Sequence, residues 1–351
     1  MIKNTPKPIL IYSLYCGGLY GTERMALATL SSLSNDFKKI LLCPPGEADL
    51  LAKQRGISSD TFTNKFEFFL KVIKLLFHHN EIVVISSSVS HSIIFILLSY
   101  LLFKEIKHFH IVHGGADELN SYQKKRILRF FPVSFIAVSY FVKNKLIHYG
   151  INVNKISVVE NFIVTNPRKL LNKHLQWPAK KIVLVSRLDE VKRLDLLITL
   201  LSKYPTLNRF SFTIFGTGAD INNLQSHANS QQLNIHYAGY SPDIITELQN
   251  YDLFLHLCPD EPFGLVILEA MLAEIPILAP DQGGPAEIIC NAKTGFSYRH
   301  ADIDNLAKQL ENIVLLPPAE IKSIVGRAHK RVISRYSTEA GAIRYTDLIK
   351  Q

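Results

Sequence analysis

Four cysteines are all that 351 residues supply, and no two stand at metal-ligand or redox spacing. Cys16, Cys43, Cys258 and Cys290 therefore exclude a disulfide scaffold and a zinc module. Three lie in or beside apolar runs, where a reduced core thiol in a reducing compartment is expected. No G-x-G-x-x-G is present, which argues against a dinucleotide-dependent dehydrogenase. The histidines show no H-E-x-x-H arrangement. The one D-x-D, Asp302 and Asp304, falls between expected helices and not at a strand end, so no metal site is expected. No finger, RNP or helix-turn-helix signature occurs, and no long low-complexity segment. At the N-terminus Lys3 and Lys7 precede I-L-I-Y-S-L-Y-C, but Gly17-Gly18 and a charged helical stretch follow without a cleavage site, so no signal peptide is expected. Ile82–Phe103 contains no Asp, Glu, Lys or Arg and is long enough to span a bilayer. Its serines and histidine are costly in lipid. It reads as a buried strand, Ile82–Ser86, a polar turn S-S-S-V-S-H-S and an apolar helix.

What is present is a folded composition, 47% apolar and 20% charged, too long for one ordinary core. The net charge of +9 is unevenly placed: residues 1–176 hold 22 Lys/Arg against 11 Asp/Glu, and residues 177–351 hold 17 against 19. A basic first half suits an anionic partner such as a membrane surface or charged glycan; it also suits a merely solvated basic surface. No nucleic-acid partner is expected.

Short apolar runs alternate with helical patterns at a spacing of 20 to 30 residues, which means parallel sheets covered on both faces. Expected strands include Ile9–Tyr15, Lys39–Cys43, Ile82–Ser86, Lys107–Val112, Phe135–Val138 and Ile156–Val159. After a polar, Pro-bearing stretch from Asn166 to Lys180 the pattern restarts with Lys181–Ser186, Phe210–Phe215, Asn234–Ala238, Leu253–Leu257 and Ile275–Ala279. Two doubly wound α/β domains are expected, 1–170 and 171–335, with a last helix at 336–351. Ligands of such sheets bind outside the C-terminal strand ends.

The polar clusters fall at those ends. Asp260–Glu269, D-E-P-F-G-L-V-I-L-E, sets Glu261 and Glu269 around the start of a helix whose first amides, at Phe263, Gly264 and Leu265, are donors for an anion. An acid within V-I-L-E-A-M-L-A needs partners. Arg187 and Lys192, in S-R-L-D-E-V-K-R, suit a diphosphate or a solvated helix start alike. Gly17, Gly18 and Gly21 follow the first strand and fit a phosphate contact or a plain turn. Thr22 is a possible cap for the helix they open. Gly216-Thr217-Gly218 permits a close backbone approach. His113, in I-V-H-G-G, fits a sugar or phosphate contact or a packed histidine, and Glu160-Asn161 fit site or cap roles.

With these residues on the page, the chain resembles glycosyltransferase family 4, the "glycosyl transferases group 1", over nearly its whole length. The family's E-x7-E corresponds to Glu261 and Glu269, and its S/G-R-L-x-x-x-K to Ser186–Lys192. F-x-G-x-G appears, shortened, at Phe215–Gly218, and G-G-x-x-E at Gly283, Gly284 and Glu287. The N-terminal G-G and G-x-E/x-R pattern falls on Gly17, Gly18 and Gly21–Arg24. Two departures stand out. P-N-G-V becomes Glu160-Asn161-Phe162-Ile163, so a bulky Phe replaces Gly and is expected to reshape the acceptor side. A-C-G-x-P becomes Leu272-Ala273-Glu274-Ile275-Pro276, with Glu274 for Gly expected to face solvent.

The resemblance implies the GT-B fold, two doubly wound parallel-sheet Rossmann-like domains facing across a cleft. It implies a retaining, metal-free enzyme with no cofactor beyond a UDP- or GDP-sugar donor. Glu269 would hold ribose and Arg187/Lys192 the diphosphate. Glu261, His113 and the amides of Phe263, Gly264 and Leu265 would hold the donor sugar, with Gly17, Gly18 and Gly216 near the nucleotide. The candidate catalytic set is Glu261, His113, Arg187 and Lys192. The acceptor would be a hydroxyl of a lipopolysaccharide, capsule or lipid-linked glycan. The location would be cytoplasmic and peripheral on the inner face of a bacterial membrane, through the aromatic, Lys-bearing helix Phe66–Phe77. A sugar-nucleotide epimerase of the same fold and an idle nucleotide-sugar-binding scaffold remain alternatives.

Overall fold

The structure, a computed structural model, describes residues 7–114, 121–164 and 177–351. Residues 166–176 of the expected linker Asn166–Lys180, and Gly115, lie outside the described residues. The chain divides into two compact units, one running to Val164 and taking back Thr338–Gln351, the other Thr165–Ser337.

In the first unit seven parallel strands form a sheet in the order β3-β2-β1-β4-β5-β6-β7. They are β1 (Ile9–Ser13), β2 (Lys38–Cys43), β3 (Ser58–Thr61), β4 (Ile82–Ser86), β5 (Ile106–Val112), β6 (Ser134–Ala137) and β7 (Ile156–Val158). β1 and β4 are buried along their whole length, which is why they read as continuous apolar runs. β3, S-S-D-T, is a polar edge strand without alternation, and no sequence pattern announced it. Helices α1 (Gly21–Ser32), α2 (Glu47–Gln54), α3 (Lys65–His78), α4 (Val89–Leu101) and α5 (Tyr140–His148) connect the strands.

Two local expectations are corrected here. The cap of α1 is Tyr20, whose backbone N–H donates to Glu23 Oε2 at 3.2 Å, and not Thr22. The expected polar turn after β4 is largely helical, since α4 begins at Val89. Its polar side chains find buried partners: Ser92 Oγ lies 2.8 Å from Ser86 Oγ and 2.9 Å from His110 Nδ1, so the helix need not wait for the apolar run. On α3 the core-facing residues are Phe68, Val72, Leu75 and Leu76, while Phe66, Phe69, Leu70 and Phe77 are exposed. The helix is thus apolar on two sides, and its start is capped by Asn64, which accepts from Glu67 N at 2.9 Å.

The second unit holds six parallel strands in the order β10-β9-β8-β11-β12-β13. They are β8 (Lys181–Val185), β9 (Ser211–Phe215), β10 (Ile235–Gly239), β11 (Leu253–Leu255), β12 (Ile277–Pro280) and β13 (Phe296–Tyr298). Its helices are α6 (Asp195–Lys203), α7 (Ile221–Ser230), α8 (Ile244–Leu248), α9 (Leu265–Leu272), α10 (Gly283–Ile288), α11 (Ile303–Val314) and α12 (Pro318–Arg335). The strand order reverses beside β8, so a switch point opens between β8 and β11 at their C-terminal ends. Asp302 and Asp304 are spent structurally: Asp302 caps α11, accepting from Asn305 N at 2.8 Å, and Asp304 pairs with Lys203 and Tyr204.

The last helix, α13 (Thr338–Lys350), belongs to the first unit. Phe162 is buried beneath it, 6.4 Å from the Tyr345 ring, and a Cβ on Gly341 would strike the Phe162 ring. The expectation that Phe162 reshapes an acceptor surface is corrected: its bulk fills the notch that Gly341 leaves in α13.

Candidate functional site

Three loops at the C-terminal ends of β8, β9 and β11 build one constellation. The loop Ser186–Lys192 leaves β8 and ends in a 3-10 turn, Glu190–Lys192. The glycine pair of the neighbouring loop lies against it. Ser186 N donates to Phe215 O and Leu188 N to Thr217 O, both at 3.0 Å. A side chain at Gly216 or Gly218 would collide with the carbonyls of Ser186 and Leu188. G-T-G is therefore required to let two loops touch backbone to backbone.

The loop delivers Lys192 to Glu261. Nζ lies 2.6 Å from Oε2, with the side chains 15% and 16% exposed. Burial pushes both groups toward neutrality, but their mutual charge and hydrogen bond win. The Lys192 ammonium is raised above its ordinary range and the Glu261 carboxyl held below its own. Arg187 is near enough to act on both charges, and it pairs with Asp189 at 2.9 Å. The two cations proposed for a diphosphate are thus each held by an acid.

His256 follows β11 and was not singled out by sequence reasoning. It is 4% exposed, stacked on Phe254 at 6.4 Å, and its Nε2 lies 3.8 Å from Glu261 Oε2. Burial lowers its pKa to about 4, so the ring is neutral near neutrality. The available signal was a histidine inside an apolar run, L-F-L-H-L, two residues before D-E-P-F-G. Cys258 beside it is a core thiol whose Sγ–H donates to Val191 O at 3.3 Å; burial raises its pKa to about 12.

The turn from Glu261 to Gly264 is moulded by the second glycine pair. Gly284 N donates to Glu261 O at 2.8 Å, and a Cβ at Gly283 or Gly284 would strike the backbone of Pro259 or Phe263. Gly264, at φ +100, makes the left-handed bend into α9, whose first amides at Leu265 and Val266 have no carbonyl one turn back. Phe263 is buried, edge-on to Tyr336 at 6.0 Å. Glu269 is half-buried on α9 between buried Leu268 and Ala270.

The remaining candidates lie in the first unit. Gly17 is buried against Pro44–Gly46, and its carbonyl accepts from Ala48 N at 3.1 Å, so its close approach is made to the protein's own backbone. Gly18 beside it is half-buried. His113 is half-buried at the end of β5, 3.4 Å from Tyr12 OH, with its pKa lowered to about 4 by burial and then by Lys125.

A cavity of about 420 Å³ flanks the Ser186–Lys192 loop, lined by Asp189, Glu190, Arg193, Asp195 and Asp220 among others. Four carboxylates against one guanidinium give it the wrong sign for a diphosphate. Among the described residues no group of three or more His, Cys, Asp or Glu could hold a metal ion, and no helix is long and apolar enough to cross a membrane.

The chain is similar to known proteins over both units. The family described as Glycosyl transferases group 1 matches residues 169–330, and Glycosyltransferase Family 4 matches residues 21–166. The O-antigen biosynthesis glycosyltransferase WbnH of Escherichia coli is 30% identical over 234 residues, covering 64% of this chain and 66% of WbnH. The poly(ribitol-phosphate) alpha-N-acetylglucosaminyltransferase of Staphylococcus aureus (strain COL) is 28% identical over 194 residues, covering 53% and 39%. The chain thus spans less than two thirds of the length of either relative. Among solved structures, Anabaena HepE in complex with UDP-glucose superposes with a TM-score of 0.81 at 18% identity, over 97% of this chain and 99% of HepE. That likeness shows the fold, two Rossmann-like units of the GT-B kind.

Proposed function

Because the chain belongs to glycosyltransferase family 4, we propose that it is a retaining glycosyltransferase. It moves a hexose or N-acetylhexosamine from a UDP- or GDP-sugar to a hydroxyl of a lipopolysaccharide, capsule or lipid-linked glycan. The observation that carries this reading is the half-buried Lys192–Glu261 pair, within range of Arg187, beside the N-terminus of α9. Fixed cations and helix-end amides at one strand-end site suit a sugar-bound pyrophosphate. The relatives' names, O-antigen biosynthesis and poly(ribitol-phosphate) glycosylation, support a cell-envelope glycan acceptor.

In this reading Arg187 and Lys192 take the diphosphate, Glu269 the ribose hydroxyls, and Glu261 with the amides of Phe263, Gly264 and Leu265 the donor sugar. Gly216, packed on the Ser186 backbone, fixes the loop that carries Arg187 beside the nucleotide, and Gly17 and Gly18 shape the first unit's loop. His113 is assigned a sugar hydroxyl. The bond between the anomeric carbon and the β-phosphate oxygen breaks, the acceptor oxygen bonds to that carbon, and its proton passes to the leaving phosphate. Charge grows on the diphosphate as it departs, so Arg187 and Lys192 stabilise the transition state more than the ground state. No metal is needed to neutralise it.

The acceptor is assigned to the first unit, together with a peripheral membrane contact. Phe66, Phe69, Leu70 and Phe77 on α3, with Tyr100, Leu101 and Phe103 at the end of α4, are exposed beside Lys65 and Lys74. Lys71 is not part of that positive set, because it pairs with Asp60 and Glu67. Incubating the protein with a panel of nucleotide sugars and a glycolipid acceptor, with mass analysis of products, tests the activity. A glycosylated acceptor supports it. Conversion of the donor sugar without an acceptor would establish the epimerase alternative, and binding without turnover the scaffold.

A further inference from the structure

We propose that His256 is a positioning residue for Glu261, taking over its carboxylate when a donor diphosphate draws Lys192 away. The inference rests on the donor-site reading above and deepens it. Glu261 Oε2 holds Lys192 at 2.6 Å, and the same oxygen faces His256 Nε2 at 3.8 Å. That separation is too long for a hydrogen bond, and an approach of about 1 Å would make one. Nε2 is buried and has no hydrogen-bond partner, so the ring carries an unmet polar atom aimed at this one carboxylate. The backbone holds the ring in place for that step: Tyr298 OH donates to the carbonyls of His256 and Leu257 at 3.3 and 3.4 Å, and the ring stacks on Phe254.

The exchange follows from charge. Lys192 cannot serve a diphosphate and keep its short bond to Glu261 in full, and a carboxylate buried without a partner is costly. The groups facing the His256 ring are Glu261, Lys192 and the backbone of Cys258, with Arg187 acting on the first two. Glu261 favours a charged ring and Lys192 opposes it. When Lys192 turns to phosphate, the opposing charge is neutralised and the ring takes up a proton from the buffer. Donor binding therefore carries proton uptake, and Glu261 is held ready for a sugar hydroxyl.

The test is calorimetric titration of UDP-glucose and of UDP-N-acetylglucosamine near pH 6, in two buffers of different ionisation enthalpy. Neither diphosphate diester titrates there. Wild type should take up a fraction of a proton on binding. His256→Gln, whose amide can still donate to Glu261, should lose the uptake and bind within a few-fold of wild type, whereas His256→Leu should lose the uptake and bind about tenfold more weakly. Thermal melts confirm that both variants fold. Binding without uptake in wild type, or uptake and affinity unchanged in folded His256→Leu, would overturn the inference. Failure of wild type to bind either nucleotide, and GDP-mannose and GDP-glucose as well, would refute the donor-site reading itself.

Discussion

Ser92 is the hub of a buried polar network that sets how the first unit responds to acid. Its Oγ lies 2.9 Å from His110 Nδ1, 3.0 Å from His108 Nε2 and 2.8 Å from Ser86 Oγ, while His91 Nδ1 meets Ser13 Oγ at 2.9 Å. Burial lowers the pKa of His91 to about 4 and of His108 to about 3, and drives His110 down as well. The folded chain holds these rings neutral, whereas the unfolded chain binds protons below about pH 6.5. Their contribution is thus intact above that value and lost as pH falls toward the folded pKa values. Between pH 7 and 5 the unfolding free energy from urea titration should drop by roughly 2 kcal/mol for each of His91 and His108. His108→Gln should make the slope shallower. A flat profile would contradict the neutral assignment. At this scale the sequence is least legible. Lys192 and Glu261 are 69 positions apart, and no local spacing shows that one would neutralise the other. His256 and Asp189 carry no motif, because their partners are fixed only by the meeting of loops.

Helices and strands were more legible than their ends. β4 runs from Ile82 to Ser86 as the apolar run implies, but α4 begins inside the serine-rich stretch, because tertiary hydrogen bonds there outweigh local preference. The two family departures become backbone and packing facts. Glu274 follows the end of α9 at φ +55, a left-handed position where glycine is at ease, and it is half-buried, 3.9 Å from His329 Nδ1, so its expected solvent-facing place is only partly realised. Glu274→Gly should leave the fold intact and raise stability by about 0.5–1 kcal/mol, read as a higher melting temperature. A loss of stability would mean that the His329 contact matters more than the dihedral. Gly341→Ala would drive a methyl into the Phe162 ring and should cost about 1–2 kcal/mol even after the helix-propensity gain. Equal melting temperatures would show that α13 shifts freely over Phe162.

For the whole molecule, sequence periodicity sufficed to give two doubly wound α/β units, since buried parallel strands are near-continuous apolar runs. It did not give strand order, which depends on which crossovers turn back at β1 and β8. Nor did it show which side of α3 meets solvent, because both sides are apolar. That exposed second side, with a surplus of 22 Lys/Arg over 11 Asp/Glu in residues 1–176, should carry the protein up with anionic vesicles in flotation and leave it behind with zwitterionic ones. No flotation with anionic lipid would remove the membrane contact while leaving the donor site untouched. The central claim is that fixed positive charge in the second unit grips a nucleotide-sugar diphosphate. Calorimetric titration of UDP into wild type and Lys192→Ala, without divalent cation and with chelator present, tests it most directly. Wild type should bind under those conditions, and loss of one charge-assisted contact should weaken binding by about 10- to 100-fold. Equal affinity in the two proteins, or binding only when a divalent cation is supplied, would contradict it.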